Sequence, residues 1–285
     1  MRRMNRLTRA AALAALCATP ALAGPIGYAQ ATGYFKQDTR PTLYQPLNLL
    51  DAREATAWCS PTSDPLNDQL TFGFKDSAKI DEIRIYTGNG FSEQTFQEFS
   101  RAKKFSIKGP AGAQGFTVAD QRGLQAVEVN PPIVGSEVSI EILDQYPAED
   151  PDQPVCITDI VFYSDGKALN GNWLAPKLKF DKQQAPYLGT WFAGYDGAPD
   201  RFLSFYFDGT YRYHFDPFDK DKQKEKVLAG SYEISGSRIT LEIPGKGKVS
   251  AKVRSDPRSG GKAGRSLDIE GDVPDDLKQK FRSVR

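Results

Sequence analysis

The chain has 285 residues, room for two domains of ordinary size, and sets 37 Lys and Arg against 36 Asp and Glu. That near-balance leaves no net field to draw nucleic acid or an anionic membrane surface. Its aromatic residues are mostly Phe and Tyr, 17 and 12 of them, which weights an ordinary globular composition towards β-structure.

Residues 1–23 read as a signal peptide. Arg2, Arg3, Arg6 and Arg9 make a basic start, residues 10–17 a short apolar core, and Ala21-Leu22-Ala23 a small-x-small cleavage site before Gly24. The apolar run falls well short of the roughly 20 residues that span a bilayer. The expected mature protein is therefore bacterial, periplasmic or secreted, with no membrane span. Two cysteines remain after cleavage, Cys59 and Cys156. In an oxidising compartment this pair reads as a structural disulfide. Redox or metal chemistry would call for a Cys-x-x-Cys spacing or nearby histidines, and the sequence has neither.

Residues 24–45 are expected to be a leader with aromatic anchors at Tyr28, Tyr34 and Phe35, and 46–166 a first domain. A polar loop over 49–57 runs into Trp58-Cys59. Period-two alternation then marks strands with one buried face at Leu70/Phe72/Phe74, Ile83/Ile85, Phe105/Ile107, Val127/Val129 and Val138/Ile140/Ile142. Thr87-Gly88-Asn89-Gly90-Phe91 is a turn, followed by a short helical turn towards Arg101. Gly109-Pro110 is expected to end a strand, Gly112 and Gly115 to keep the next stretch in a loop, and Asn130-Pro131-Pro132 to break the chain again. An acidic loop over 144–154 carries Tyr146, and Cys156 opens a last hydrophobic strand.

This order of loop, β-body and closing strand resembles the discoidin-like (coagulation-factor type C) jelly-roll β-sandwich. It is more closely similar to the glycan-binding domain found beside bacterial NAD glycohydrolases, through Asp51, Thr56-Ala57-Trp58-Cys59, Asn89-Gly90-Phe91, Arg101 and Cys156. The resemblance implies that loops at one end of the sandwich bind a glycan or glycoconjugate, with Asp51, Trp58, Asn89, Phe91, Arg101 and Tyr146 as candidate ligand residues. Those side-chain types suit a sugar, which needs a ring face for its C–H surface and planar polar groups for vicinal hydroxyls. Each also has a structural reading. Trp58 beside a disulfide suits a core, Asn89-Gly90 a plain turn, and Arg101 a surface ion pair. Phe91 stands where the family leads one to expect Tyr, which carries over fold better than ligand chemistry. Asp51 and Thr56 supply two oxygens where calcium wants roughly six to eight. No metal or other cofactor is expected, and Asp51 reads as a brace for its loop.

Residues 167–186 read as an ordered linker, with Trp173 and Leu174 docked on one domain. Residues 187–285 then show β segments at 202–207, 211–215, 227–234, 238–243, 248–253 and 266–270, with an opening one at Gly189-Thr190-Trp191 and a closing one near Phe281. Asp208-Gly209 and Ser235-Gly236 are hairpin signals. Eight strands suffice to close a small up-and-down barrel. Gly-x-Trp, Phe205-x-x-Asp-Gly-Thr-Tyr211 and Gly230-x-Tyr-x-Ile resemble small bacterial lipocalin-like barrels, in which Trp191 would plug the floor. His214 is the single histidine, on the strand face opposite Tyr211, Tyr213 and Phe215, so base-assisted nucleophilic catalysis has little to work with. The expectation is an all-β, exported, non-catalytic protein that binds carbohydrate through its first domain. An envelope protein as partner, or a small amphiphile carried in the barrel, are the alternatives.

Overall fold

The structure, a computed structural model, describes residues 26–64, 68–171, 187–195, 198–235, 238–257, 263–270 and 273–283. The expected signal peptide, Trp173 and Leu174, and Gly236 lie outside the described residues.

The first half is a rolled sandwich, antiparallel except where β4 meets β7, of β1 (Ile26–Ala31), β2 (Trp58–Cys59), β3 (Gln69–Thr87), β4 (Ser100–Gly109), β5 (Gly112–Thr117), β6 (Gln125–Tyr146), β7 (Val155–Ser164) and β8 (Lys167–Ala168). Strand order runs β1-β3-β6-β4-β7-β2, and β3 also pairs with β7, which rolls the sheet on itself. The alternating residues point inward: Leu70, Phe72, Phe74, Ile83, Ile85, Phe105, Ile107, Ile140 and Ile142 are buried in one cluster with Trp58. Burial of this apolar surface, at roughly 25 cal/mol per Å2, is what selects the register, because a one-residue slip would turn these side chains to water.

Four expectations give way here. Ile26–Ala31 is no loose leader: it pairs with residues 70–74 of β3, and Ile26, Ala29 and Ala31 join the core. Gly112–Thr117 is a strand, not a loop, because Phe116 stacks on Phe105 at 5.2 Å across a hairpin turned at Pro110-Ala111. Pro131 and Pro132 do not break β6. Glu128 pairs with Glu82 and Ile133 with Ile80, so residues 129–132 bulge where the ladder asks nothing of a missing N–H. Lys167–Ala168, read as the start of the linker, pairs with β7, and Asn170 is buried, its side chain accepting from the Phe162 amide and donating to the Ile160 carbonyl.

The second half is a closed barrel of β9 (Gly189–Ala193), β10 (Asp200–Phe205), β11 (Thr210–Asp216), β12 (Lys226–Ser235), β13 (Arg238–Ile243), β14 (Gly247–Pro257), β15 (Ala263–Glu270) and β16 (Phe281–Ser283), with β16 returning to β9. Gly209, at φ +80, makes the β10–β11 turn, and Asp208 accepts from the Thr210 hydroxyl at 2.7 Å. Trp191, Phe205, Tyr211, Tyr213, Leu241 and Phe281 fill the interior, and the Trp191 indole donates to the Tyr187 carbonyl at 2.8 Å. Among the described residues no helix is long and apolar enough to cross a membrane.

The two halves meet along β1, β3 and the start of the barrel. Leu188 and Phe207 are buried in the sandwich cluster, and the Phe207 amide donates to the Gly27 carbonyl at 2.9 Å. Lys75 pairs with Asp208, and the Gln30 side chain donates to the Leu188 carbonyl.

Candidate functional site at the loop end of the sandwich

One end of the sandwich gathers its long connections. Thr87 at the end of β3 pairs with Ile157, Ser100 at the start of β4 with Val155, and Arg101 with Tyr146 at the end of β6. The segments 88–99, 118–124 and 147–154 therefore leave from the same rim, where a rigid sheet can hold binding loops.

The 88–92 turn is fixed by backbone geometry. Gly88 sits at φ +86 and donates to the Cys156 carbonyl at 2.8 Å. The Thr158 hydroxyl donates to the Gly88 carbonyl and accepts the Gly90 amide, each at 2.7 Å. Asn89 accepts the Phe91 amide at 3.2 Å, which makes it a turn brace. Ser92 and Thr95 then form a capping box that starts α1 (Glu93–Glu98). The tight turn leaves Phe91 66% exposed, the one ring at this rim that faces water broadly.

The remaining candidates sit deeper. Trp58 is fully buried, with its indole donating to the Gly33 carbonyl at 3.2 Å, and presents no ring face to solvent. Asp51 accepts from the Thr56 hydroxyl at 2.8 Å and from the Arg53 amide at 3.0 Å, bracing its own loop, and burial raises its carboxyl above the ordinary value. Arg101 is 6% exposed and gives a two-pronged hydrogen bond to Asp120, at 2.9 and 2.8 Å, and a third to the Phe99 carbonyl. The Tyr146 hydroxyl donates to the Val118 carbonyl at 3.0 Å. Arg101 and Tyr146 thus tie down the 118–124 loop.

That loop carries a residue which the motif reading passed over. Arg122 donates to the Tyr86 hydroxyl at 3.0 Å and the Gly90 carbonyl at 2.8 Å, with Glu93 3.4 Å away. It occupies the place beside Phe91 that the sequence had suggested for Arg101. Only the polar run Asp120-Gln121-Arg122-Gly123 between two strands marked it, and any solvated loop looks the same.

Beside this turn, across α1, lies a cleft of about 760 Å3. Gln97 and Glu98 line one side, Glu149, Asp150 and Gln153 the other, with Phe99 and Pro147 as apolar surface and Arg101 among the lining residues. Gln94 donates to Glu98 at 2.7 Å and Gln153 to Asp150 at 3.1 Å, so the planar groups are held in pairs. Among the described residues no group of three or more His, Cys, Asp or Glu side chains could hold a metal ion. His214 lies far along the chain on the barrel, half-buried, with Nε2 2.6 Å from Glu225.

Residues 25–163 match the family model of the NAD glycohydrolase translocation F5/8 type C domain. No curated protein matches the chain. Among solved structures the chain is similar to the CBM32 of AlyQ in complex with 4,5-unsaturated mannuronic acid, at 13% identity and a TM-score of 0.37, over 50% of this chain and 98% of that one. It is similar to the family 32 carbohydrate-binding module from C. perfringens NanJ in complex with galactose, at 19% identity and a TM-score of 0.36, over 48% and 93%. The arabinofuranosyltransferase AftD from Mycobacteria aligns with 91% of this chain but only 23% of its own length, at 12% identity and a TM-score of 0.43.

Proposed function

From the premise that residues 25–163 are an F5/8 type C domain of the NAD glycohydrolase translocation type, we propose that the chain is an exported, non-catalytic protein that binds carbohydrate at the loop end of its sandwich. The observation that carries this reading is the cleft between α1 and the 147–154 loop, where carboxamides and carboxylates are already paired beside apolar surface. Planar groups of this kind accept and donate to adjacent hydroxyls at once, and Phe91 adds a ring face near the rim. Glu98, Glu149 and Asp150 outnumber the one lining cation, Arg101, which Asp120 already pairs, so neutral sugars or amino sugars fit and uronic acids would meet like charge. The Cys59–Cys156 disulfide fits an oxidising compartment. The filled barrel interior weighs against an amphiphile carrier.

A glycan array followed by calorimetry on the whole chain tests this. Replacing Gln97 and Gln153 together by Ala is expected to weaken the best array ligand about tenfold or more, the loss of roughly 1.4 kcal/mol, with Tm unchanged. A blank array at millimolar sugar, or full binding by the double variant, rejects the reading.

A further inference from the structure

A second concave site lies where the barrel meets the sandwich, far along the chain from the loop end. It holds about 280 Å3 and is bounded by Tyr28 and Glu137 from the sandwich and by Thr190, Phe202, Ser204 and Arg212 from the barrel. Junctions between domains are favoured places for small-ligand sites. Two bare positions shape it. A Cβ at Gly27 would strike the Tyr206 ring and one at Gly73 the Tyr28 ring, so these glycines let the two rings stack at 6.2 Å.

The polar groups of this seam form an ordered row. The Tyr28 hydroxyl donates to Glu137 at 2.5 Å and therefore accepts from Thr190, 2.9 Å away. Thr190 in turn accepts from Ser204, also at 2.9 Å. All three hydroxyl protons are thus directed towards one carboxylate, and the oxygens keep lone pairs for an incoming donor. Among the other groups there, Glu137 accepts from Tyr28, Arg212 donates to the Lys75 carbonyl at 3.3 Å, and His214 Nε2 stands 2.6 Å from Glu225. Glu137 and Arg212, one charge of each sign, bound the same space, so neither sign of ion is favoured over the other. What the wall offers is hydroxyl oxygens beside the ring of Phe202, which is half-buried on the outer face of the barrel and stacks on His214.

The geometry points to a second binding site at this seam, for one unit of a neutral polyhydroxylated ligand such as a hexopyranose. Its hydroxyls lie along the Tyr28–Thr190–Ser204 row and its apolar face lies on Phe202. The site is independent of the loop end. Because both halves build it, an occupant holds them together.

Hydrogen exchange of the whole chain, with and without millimolar methyl glycosides of galactose, glucose, mannose and xylose, tests the assignment. At least one glycoside is expected to slow exchange in β9 and β10. Ser204→Leu, which fills the space, is expected to abolish that protection, and Tyr28→Phe, which keeps the ring stack and removes one hydroxyl, to weaken binding there about tenfold. If Ser204→Leu fails to fold, the Tyr28→Phe result decides alone. Replacing Gln97 and Gln153 by Ala should leave seam protection intact. Loss of all protection in that loop-end variant would overturn the seam site and leave the loop-end reading standing. Absence of seam protection with every glycoside overturns it as well.

Discussion

Asp159 lies beneath the 51–57 loop, 6% exposed, with Oδ1 unpartnered among the described residues. Burial, and then the nearby charge of Asp51, push its carboxyl up to about 7. In an unfolded chain the same group titrates near ~3.9. Between those values the folded protein keeps a proton that the unfolded chain has lost, so stability falls as pH rises from about 4 to about 7 and then levels off. The full gap corresponds to roughly 4 kcal/mol as an upper figure. Asp68, raised by burial to about 6, titrates in the same window, so the difference between parent and variant is the quantity to read. Asp159→Asn is expected to match the parent in urea unfolding near pH 4 and to exceed it by a few kcal/mol at about pH 8. A constant offset at both ends would show that Asp159 does not titrate there. Arg101 and Arg122 teach the complementary point: a guanidinium's role follows from which carboxylate or carbonyl reaches it.

At the scale of elements, the Cys59–Cys156 disulfide staples β2 to β7 at their paired positions and closes a loop of 97 residues. Its two cysteines share a small cluster with Ala57, Phe35, Tyr44 and Phe99, beneath the root of α1. Chain-entropy arguments assign such a closure roughly 4 to 5 kcal/mol. The double variant Cys59→Ala, Cys156→Ala should lower the urea midpoint accordingly and make it indifferent to reductant. A parent whose midpoint does not move on reduction with alkylation would count against the staple. The bulge at 129–132 and the β4–β5 hairpin belong to the same scale. In each, a local breaker is tolerated because its neighbours still pair.

The whole molecule is joined by a shared core. Phe207 sits between β10 and β11 of the barrel, yet its ring is buried among the side chains of the sandwich. Removing a buried aromatic costs about 3 to 5 kcal/mol. Phe207→Ala is expected to lower Tm and to speed amide exchange in β1 and β10 together, with unfolding still a single transition. Faster exchange confined to the barrel would mean that the halves are energetically separate.

The all-β class, the buried faces of β3, β4 and β6, the eight strands of the barrel and the cysteine pair can all be read along the chain. These are legible because alternation and turn chemistry are local: Leu70, Phe72 and Phe74 must share a face whatever lies opposite. Tertiary structure alone decided that Ile26–Ala31 is a strand, that Pro131 and Pro132 ride in a bulge, and that Arg122 rather than Arg101 stands beside Phe91. It alone brought Tyr28 to Thr190, 162 residues apart, at the seam. Each of those outcomes depends on which distant group meets a side chain once the sheet has rolled. A hydrogen bond or ion pair is specified by position in space, and no periodicity along the chain encodes that meeting.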